Sequence, residues 1–194
     1  MKLFLSIALM LQISICFSQT YYGQIINNKN DTISVQILIK GNTIFKNNKI
    51  LSIQEKITVI ENGISKDYYP ADLKSFKINM NKEVKTYDSI DNSTFAERFY
   101  SNKLKLYYKL VKVETKQSPY FAIYRVFLIK KPNQQDMTTL IPNGFSRLIT
   151  QNEMLEKITD CEISVNKIKN DEVKISNEEK LIDFVIDYEK NCFN

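Results

Sequence analysis

The two longest apolar runs of the chain lie next to each other, Leu104 to Val113 and Tyr120 to Ile129, around the polar turn Glu114-Thr-Lys-Gln-Ser-Pro119. In the first run Leu104, Leu106, Tyr108 and Leu110 alternate with Lys103, Lys105, Tyr107 and Lys109. A period of two sends successive side chains to opposite faces, so this run predicts a strand with one buried and one wet face. The second run is apolar at both parities except at Arg125 and is rich in aromatic and β-branched residues. It predicts a strand covered on both sides, near the middle of a sheet.

The segments before this pair follow the same period. Tyr22 to Ile26 leads through the turn-forming loop Asn27-Asn-Lys-Asn-Asp31 into Ile33, Val35, Ile37 and Ile39, which alternate with Thr32, Ser34, Gln36 and Leu38. That is a hairpin pattern. A weaker strand is predicted at Lys49 to Ile53. Lys56 to Ile60 and Ile64 to Tyr69 flank Asn62-Gly63, the dipeptide that supplies positive φ to a two-residue type I′ turn. Asp72 to Ile78, Val84 to Ile90 and Phe95 to Tyr100 add three strands, and Met137 to Ile141 a last one pairing back with Tyr120 to Ile129. Pro70, Pro119, Pro132 and Pro142 all fall between the runs, where a missing N–H costs no ladder bond.

After Gly144 the spacing becomes helical. Phe145, Leu148, Ile149, Met154, Leu155 and Ile158 predict a helix running towards Cys161, and Ile163 to Lys169 a second. For the last helix Ser176-Asn-Glu-Glu179 has the form of a capping box, and Leu181, Ile182, Val185, Tyr188 and Cys192 form its apolar stripe. No repeat, low-complexity tract or linker divides the chain. Strands followed by helices predict one α+β domain. It is an antiparallel β-meander over residues 19–142, a twisted sheet or partly closed barrel, with about three helices over 143–194 packed on it.

Composition narrows the chemistry. The chain has 194 residues and a net charge of +5 carried mostly by lysine, since Arg98, Arg125 and Arg147 are its only arginines. With no basic run to track phosphates, no nucleic-acid partner is expected. There is no histidine, which excludes Ser-His-Asp and Cys-His arrangements. Of the three cysteines, Cys161 and Cys192 lie outside the N-terminal stretch and do not alone complete a zinc site, so no metal is expected. Gly23, Gly41, Gly63 and Gly144 are isolated and form no phosphate loop, so no cofactor is expected either. The adjacent acids Glu178-Glu179 and Asp171-Glu172 read as helix-dipole partners and solvated surface rather than acid–base pairs. The chain reads as non-enzymatic, with carboxylate-only chemistry left open.

The N-terminus reads as a leader. Lys2 gives a positive start, Leu3 to Ile15 is uncharged and apolar, and Cys16-Phe17-Ser18 places small residues at the −3 and −1 positions of a cleavage site between Ser18 and Gln19. A buried helix or a membrane anchor is the alternative, but the run is short for a span and no stop-transfer pattern follows. A lipoprotein form through Cys16 lacks the expected small residue before it. The expectation is a signal peptide over 1–18, a mature domain over 19–194 without a transmembrane segment, and export to the periplasm, outer envelope or medium. Cleavage leaves Cys161 and Cys192, for which a single disulfide is the natural pairing in an oxidising compartment and two buried thiols the alternative. With both cysteines read as helix C-terminal ends, the bridge predicts helices lying side by side in the same direction.

Tyr68, Tyr69, Tyr107, Tyr108, Tyr120 and Tyr124 lie on or beside predicted strands. Tyrosine on a sheet face can stack on a sugar, so Tyr107 and Tyr124 are candidates for a concave face that binds a glycan or apolar ligand. Ordinary half-buried strand tyrosines are the competing explanation.

Several landmarks together resemble a group of uncharacterised exported proteins of Bacteroidetes-type bacteria. They are Gly23-Gln-Ile25, Asp31-Thr-Ile33, Tyr69-Pro-Ala-Asp-Leu73 with Phe76, Leu104-Lys-Leu-Tyr-Tyr108, Asp160-Cys161 and Tyr188 to Cys192. The segment from Gly23 to Lys40 is also similar to the start of carboxypeptidase-regulatory-like β domains. The first resemblance implies an exported β-rich body with a helical tail and no known activity. In such organisms Asp31-Thr32-Ile33 and Asp88-Ser89-Ile90 fit an O-glycosylation pattern at Thr32 and Ser89, though turn chemistry explains Asp-Thr equally well. The functional expectation is an envelope or periplasmic domain binding a macromolecular partner or surface glycan. Its alternative is a small apolar-ligand carrier with a pocket between sheet and helices.

Overall fold

The structure, a computed structural model, describes residues 18–40, 46–80, 83–114, 121–143 and 147–193. Ten strands make one antiparallel sheet: β1 Ser18–Asn27, β2 Thr32–Lys40, β3 Ile57–Glu61, β4 Ile64–Tyr68, β5 Leu73–Met80, β6 Glu83–Ile90, β7 Thr94–Ser101, β8 Lys105–Glu114, β9 Phe121–Lys130 and β10 Met137–Leu140. Four helices accompany them among the described residues: α1 Lys46–Glu55, α2 Gln151–Lys157, α3 Glu162–Lys169 and α4 Glu178–Cys192. The strand order is β10-β9-β8-β7-β6-β5-β1-β2-β3-β4, so the sheet is unclosed and has β4 and β10 as edges. This is the expected α+β architecture, with the last three helices C-terminal. Asn62 and Gly63 take positive φ of 50° and 80° in the β3–β4 turn, as a type I′ hairpin requires.

Cross-strand pairs share a face, so the register shows where the core lies. One unbroken row runs Leu140, Phe127, Tyr108, Glu97, Tyr87, Phe76, Ile25, Ile33 across eight strands. On this face sit both large cores. Ile25, Ile37, Phe76, Ile78, Tyr87 and Phe95 pack with Ile53 of α1. Leu104, Leu106, Phe127 and Ile129 pack with Met154, Ile168, Leu181, Val185 and Tyr188 of the C-terminal helices. The helix α1 touches β2 and β3 and also β7 and β8, so the intervening strands curl around it. Its Gln54 is buried and fits its amide to Leu110, accepting from the backbone N–H at 2.6 Å and donating to the carbonyl at 2.8 Å. That side chain takes the place of a strand where the β7–β8 ladder stops.

Four local expectations are corrected. The segment Lys49 to Ile53 is helical and not a strand, because Ile50 and Ile53 fall one turn apart and turn inward together. The Tyr107 face of β8 is not wet: Tyr107 is 3% exposed among Ile90, Ala96, Val126 and Leu128, a third and smaller core on the opposite face. Arg125 and Tyr124 leave the first half of β9 open on both faces, and only Val126 to Ile129 are buried at both parities. Phe145 lies outside the described residues, and among those after it helical structure begins at Gln151, since Ile149 forms a β-bridge with Ile175 and Thr150 caps α2.

The helical tail is also re-drawn at its caps. The α4 N-cap is Asn177, whose side chain accepts from the Lys180 N–H at 2.9 Å, and Ser176 lies outside the helix. The capping box therefore does not form, because its register is off by one. Cys161 and Cys192 are joined by a disulfide with Cα atoms 5.9 Å apart. Cys161, however, is the N-cap of α3, while Cys192 ends α4. The bridge thus joins a helix start to a helix end. Lys167 of α3 pairs with Asp187 of α4 at 2.8 Å, one turn and a half further along, so the two helices run antiparallel and not side by side in one direction.

At Gly23 the β1–β5 pair comes too close for any side chain. A Cβ there would press into the backbone carbonyl oxygen of Lys77 and lie 2.8 Å from Ile37 Cδ1. Backbone cannot swing aside as a rotamer can. Gly23→Ala is therefore expected to destabilise the protein by about 1–3 kcal/mol through overpacking, read as a lower urea midpoint. An unchanged midpoint would mean that the two strands separate freely here.

Candidate functional site

The outward face of β1, β2, β3, β5 and β6 carries a different chemistry from the core face. The even-numbered residues of β1 and β2 point this way, so Tyr22 opposes Gln36 and Gln24 opposes Ser34. Gln36 in turn opposes Ile60, Gln24 opposes Lys77, and Asn79 opposes Val84. Together they line an open groove of about 800 Å³, with the Asn62-Gly63 turn on one side. Neighbouring rows across the groove are spaced by about 4.8 Å, the distance between strands.

The groove is built for polar contact around one aromatic ring. Tyr22 is 71% exposed and Val84 65%, while Gln24, Ser34, Gln36 and Asn79 are also exposed. None of these side chains forms a hydrogen bond to another described residue, and Lys77 forms no ion pair with one. The described lining residues include no carboxylate. It offers amide and hydroxyl donors and acceptors, one ring face and a single cation.

Several polar side chains elsewhere are committed to the fold. The Asp88 carboxylate accepts from Arg98 at 3.1 Å and from the Tyr107 hydroxyl at 3.0 Å. Burial, and after it the Asp88 charge, push the Tyr107 hydroxyl above its ordinary pKa, which keeps it a proton donor. Lys131 is buried and pairs with Asp160 at 2.7 Å, and the Tyr188 hydroxyl donates to the same carboxylate. Burial works to raise the Asp160 carboxyl, but hydrogen bonds from Lys131 and Tyr188 and the Lys131 charge outweigh it and hold the group below the usual carboxylate value.

Neither a family model, a curated protein nor a solved structure matches the chain.

The sequence-predicted residues do not gather at the groove. Tyr107 and Tyr124 share a sheet face, but they lie four positions apart along the strands and only Tyr124 is exposed. Tyr68 donates to Glu61, Tyr108 is half-buried beside Arg125, and Tyr120 lies outside the described residues. Thr32 is exposed at the start of β2, whereas the Ser89 hydroxyl donates to the Pro70 carbonyl at 2.6 Å. Ser18 opens β1 opposite Lys40, with Gln19 opposite Ile39, and residues 1–17, where the leader is expected, lie outside the described residues. Tyr22, Gln24 and Gln36 were missed as a site although the alternation that places them is plain in the sequence. The pairing of β1 with β5, which adds Lys77 and Asn79, had no sequence signal.

No group of metal-ligating side chains occurs among the described residues, and none of their helices is long and apolar enough to cross a membrane.

Proposed function

We propose that this chain is an exported, non-enzymatic binding domain of the cell envelope or periplasm, and that its Tyr22 groove takes a neutral polysaccharide. The observation that carries the reading is the set of unengaged amides and hydroxyls around a 71%-exposed tyrosine in one open groove. A sugar presents an apolar C–H face and a rim of hydroxyls. The ring of Tyr22 suits the first, and Gln24, Gln36, Ser34 and Asn79 suit the second, each able to donate or accept. A groove open along its length suits a polymer better than a small molecule, which is normally enclosed. Lys77 adds one cation to a lining without carboxylates, which also suits an occasional acidic substituent.

The test is a glycan array followed by calorimetry with the best binder. Tyr22→Ala is expected to weaken binding about tenfold or more, and Tyr124→Ala, at a distance from the groove, to leave it unchanged. Binding insensitive to Tyr22→Ala, or capture only of an envelope protein, would replace the glycan reading with another.

A further inference from the structure

A second cavity lies on the opposite side of the sheet, between its curled face and α1. It measures about 520 Å³. Its apolar wall is formed by Ile50 and Ile53 of α1 with Met80 of β5 and the buried Tyr87 ring of β6. Two hydrogen-bonded polar clusters line it, together with Glu83. On the β6–β7 side Lys85 donates to Glu97 at 2.6 Å and the Tyr87 hydroxyl reaches the same carboxylate at 3.3 Å, so Glu97 is neutralised within the protein. On the β1 side the Lys49 ammonium donates to the Tyr21 hydroxyl oxygen at 2.8 Å and to Gln19 Oε1 at 3.3 Å, and it stands 4.8 Å from the Tyr21 ring centroid.

The two cations differ in one respect. Lys85 has a carboxylate, and Lys49 has only neutral acceptors among the described residues. An ammonium has three N–H donors, two of which are used. The Gln19 side chain accepts from Tyr21 and Lys49 and leaves its own amide N–H groups without a partner among the described residues. Among the described residues, Lys49 and Gln19 therefore present unused donors and a positive charge without a carboxylate partner at one end of a cavity whose wall is apolar. Glu83 lines the opposite, β6 side without a cation partner among the described residues. It disfavours a negative group there and orients a charged ligand towards Lys49.

We infer that this cavity binds a small anionic amphiphile of the monocarboxylate class, its carboxylate on Lys49 and Gln19 and its hydrocarbon body along Ile50, Ile53 and Met80. This site is separate from the Tyr22 groove and does not depend on the glycan reading. A charged head directs the ligand, and burial of its chain supplies most of the affinity.

Calorimetry with decanoate, decanol and decyltrimethylammonium as probes tests it on the purified protein. Decanoate is expected to bind one to one and at least tenfold more tightly than decanol. Lys49→Met is expected to abolish that preference while leaving the thermal midpoint within a few degrees, and Ile50→Asp to remove decanoate binding by blocking the apolar wall. Absence of decanoate binding to the unmodified protein, or an undiminished preference for decanoate over decanol in Lys49→Met, overturns the inference. Preference for decyltrimethylammonium overturns it too, and would assign the cavity to cations through Glu83 and Glu97.

Discussion

Glu189→Ala is expected to cost about 3–5 kcal/mol of stability, the penalty for removing a buried carboxylate that several donors depend on. Glu189 projects from α4 and is almost completely buried. Its two oxygens accept from the Tyr100 hydroxyl at 3.2 Å, from the Asn102 amide and from the backbone N–H of Leu104 at 2.8 Å. These donors belong to the end of β7 and the turn into β8, so one side chain fastens the last helix to the sheet. Alanine would strand the Leu104 N–H in the core and leave the Asn102 amide to find water. Glutamine keeps one acceptor but turns an N–H₂ group towards donors, and its loss should be intermediate. Urea unfolding of the three proteins checks this. An alanine variant within about 1 kcal/mol of the parent, the size of one ordinary hydrogen bond, would show that the turn holds itself.

Removing both Cys161 and Cys192 by alanine should lower stability by about 3–4 kcal/mol in the chain-entropy account of a loop of this length. The bridge joins the first residue of α3's cap to the last turn of α4, next to the Lys131–Asp160–Tyr188 cluster. Its loss therefore loosens both helices over the second core. Reduction of the parent should reproduce the variant's unfolding midpoint, since both remove the same covalent constraint. Intact mass under non-reducing conditions, taken on the envelope fraction, reads the bridge directly and also reports whether the chain starts at Gln19. Two alkylatable cysteines in that fraction, or equal midpoints for parent and variant, would dismiss the bridge as a stabilising element.

Strand positions were legible where one face is buried and the other wet, because burial then writes a period of two into the residues. This holds for β2, with Val35, Ile37 and Ile39 inside and Ser34 and Gln36 outside. It failed for α1, whose ten residues hold only Ile50, Leu51 and Ile53 as apolar contacts, too few to distinguish a helical turn from a short strand. On β8, Tyr107 fell at the parity of three lysines and was read with them as solvent-facing. A tyrosine can be buried where its hydroxyl has a partner, and Asp88 provides one from a strand two places away in the sheet. Ser176 and Asn177 are both good caps, and local sequence does not choose between them.

The candidate sites were less legible than the fold. Tyr22 and Gln36 meet through a hairpin and could have been paired from the turn between them. Lys77, Asn79 and Val84 reach the same groove only because β5 docks on β1, and the second cavity needs α1 to lie inside the curl of the sheet. Glu189 had one readable sign, a carboxylate four residues after Val185 on an otherwise apolar stripe. Distance in sequence is what hides such residues. Alternation reports which face a side chain takes and says nothing about which strand lies beside it.

In the strand order every neighbour is also a neighbour in sequence except β5 and β1. Folding can therefore begin as two independent local assemblies, β1 to β4 and β5 to β10, each zipping from its own tight turns. Their union has to wait for a contact that bypasses three strands and a helix, the kind of distant closure that slows folding. Gly23 stands on that seam, so the two halves become one sheet through the residue that allows their backbones to meet.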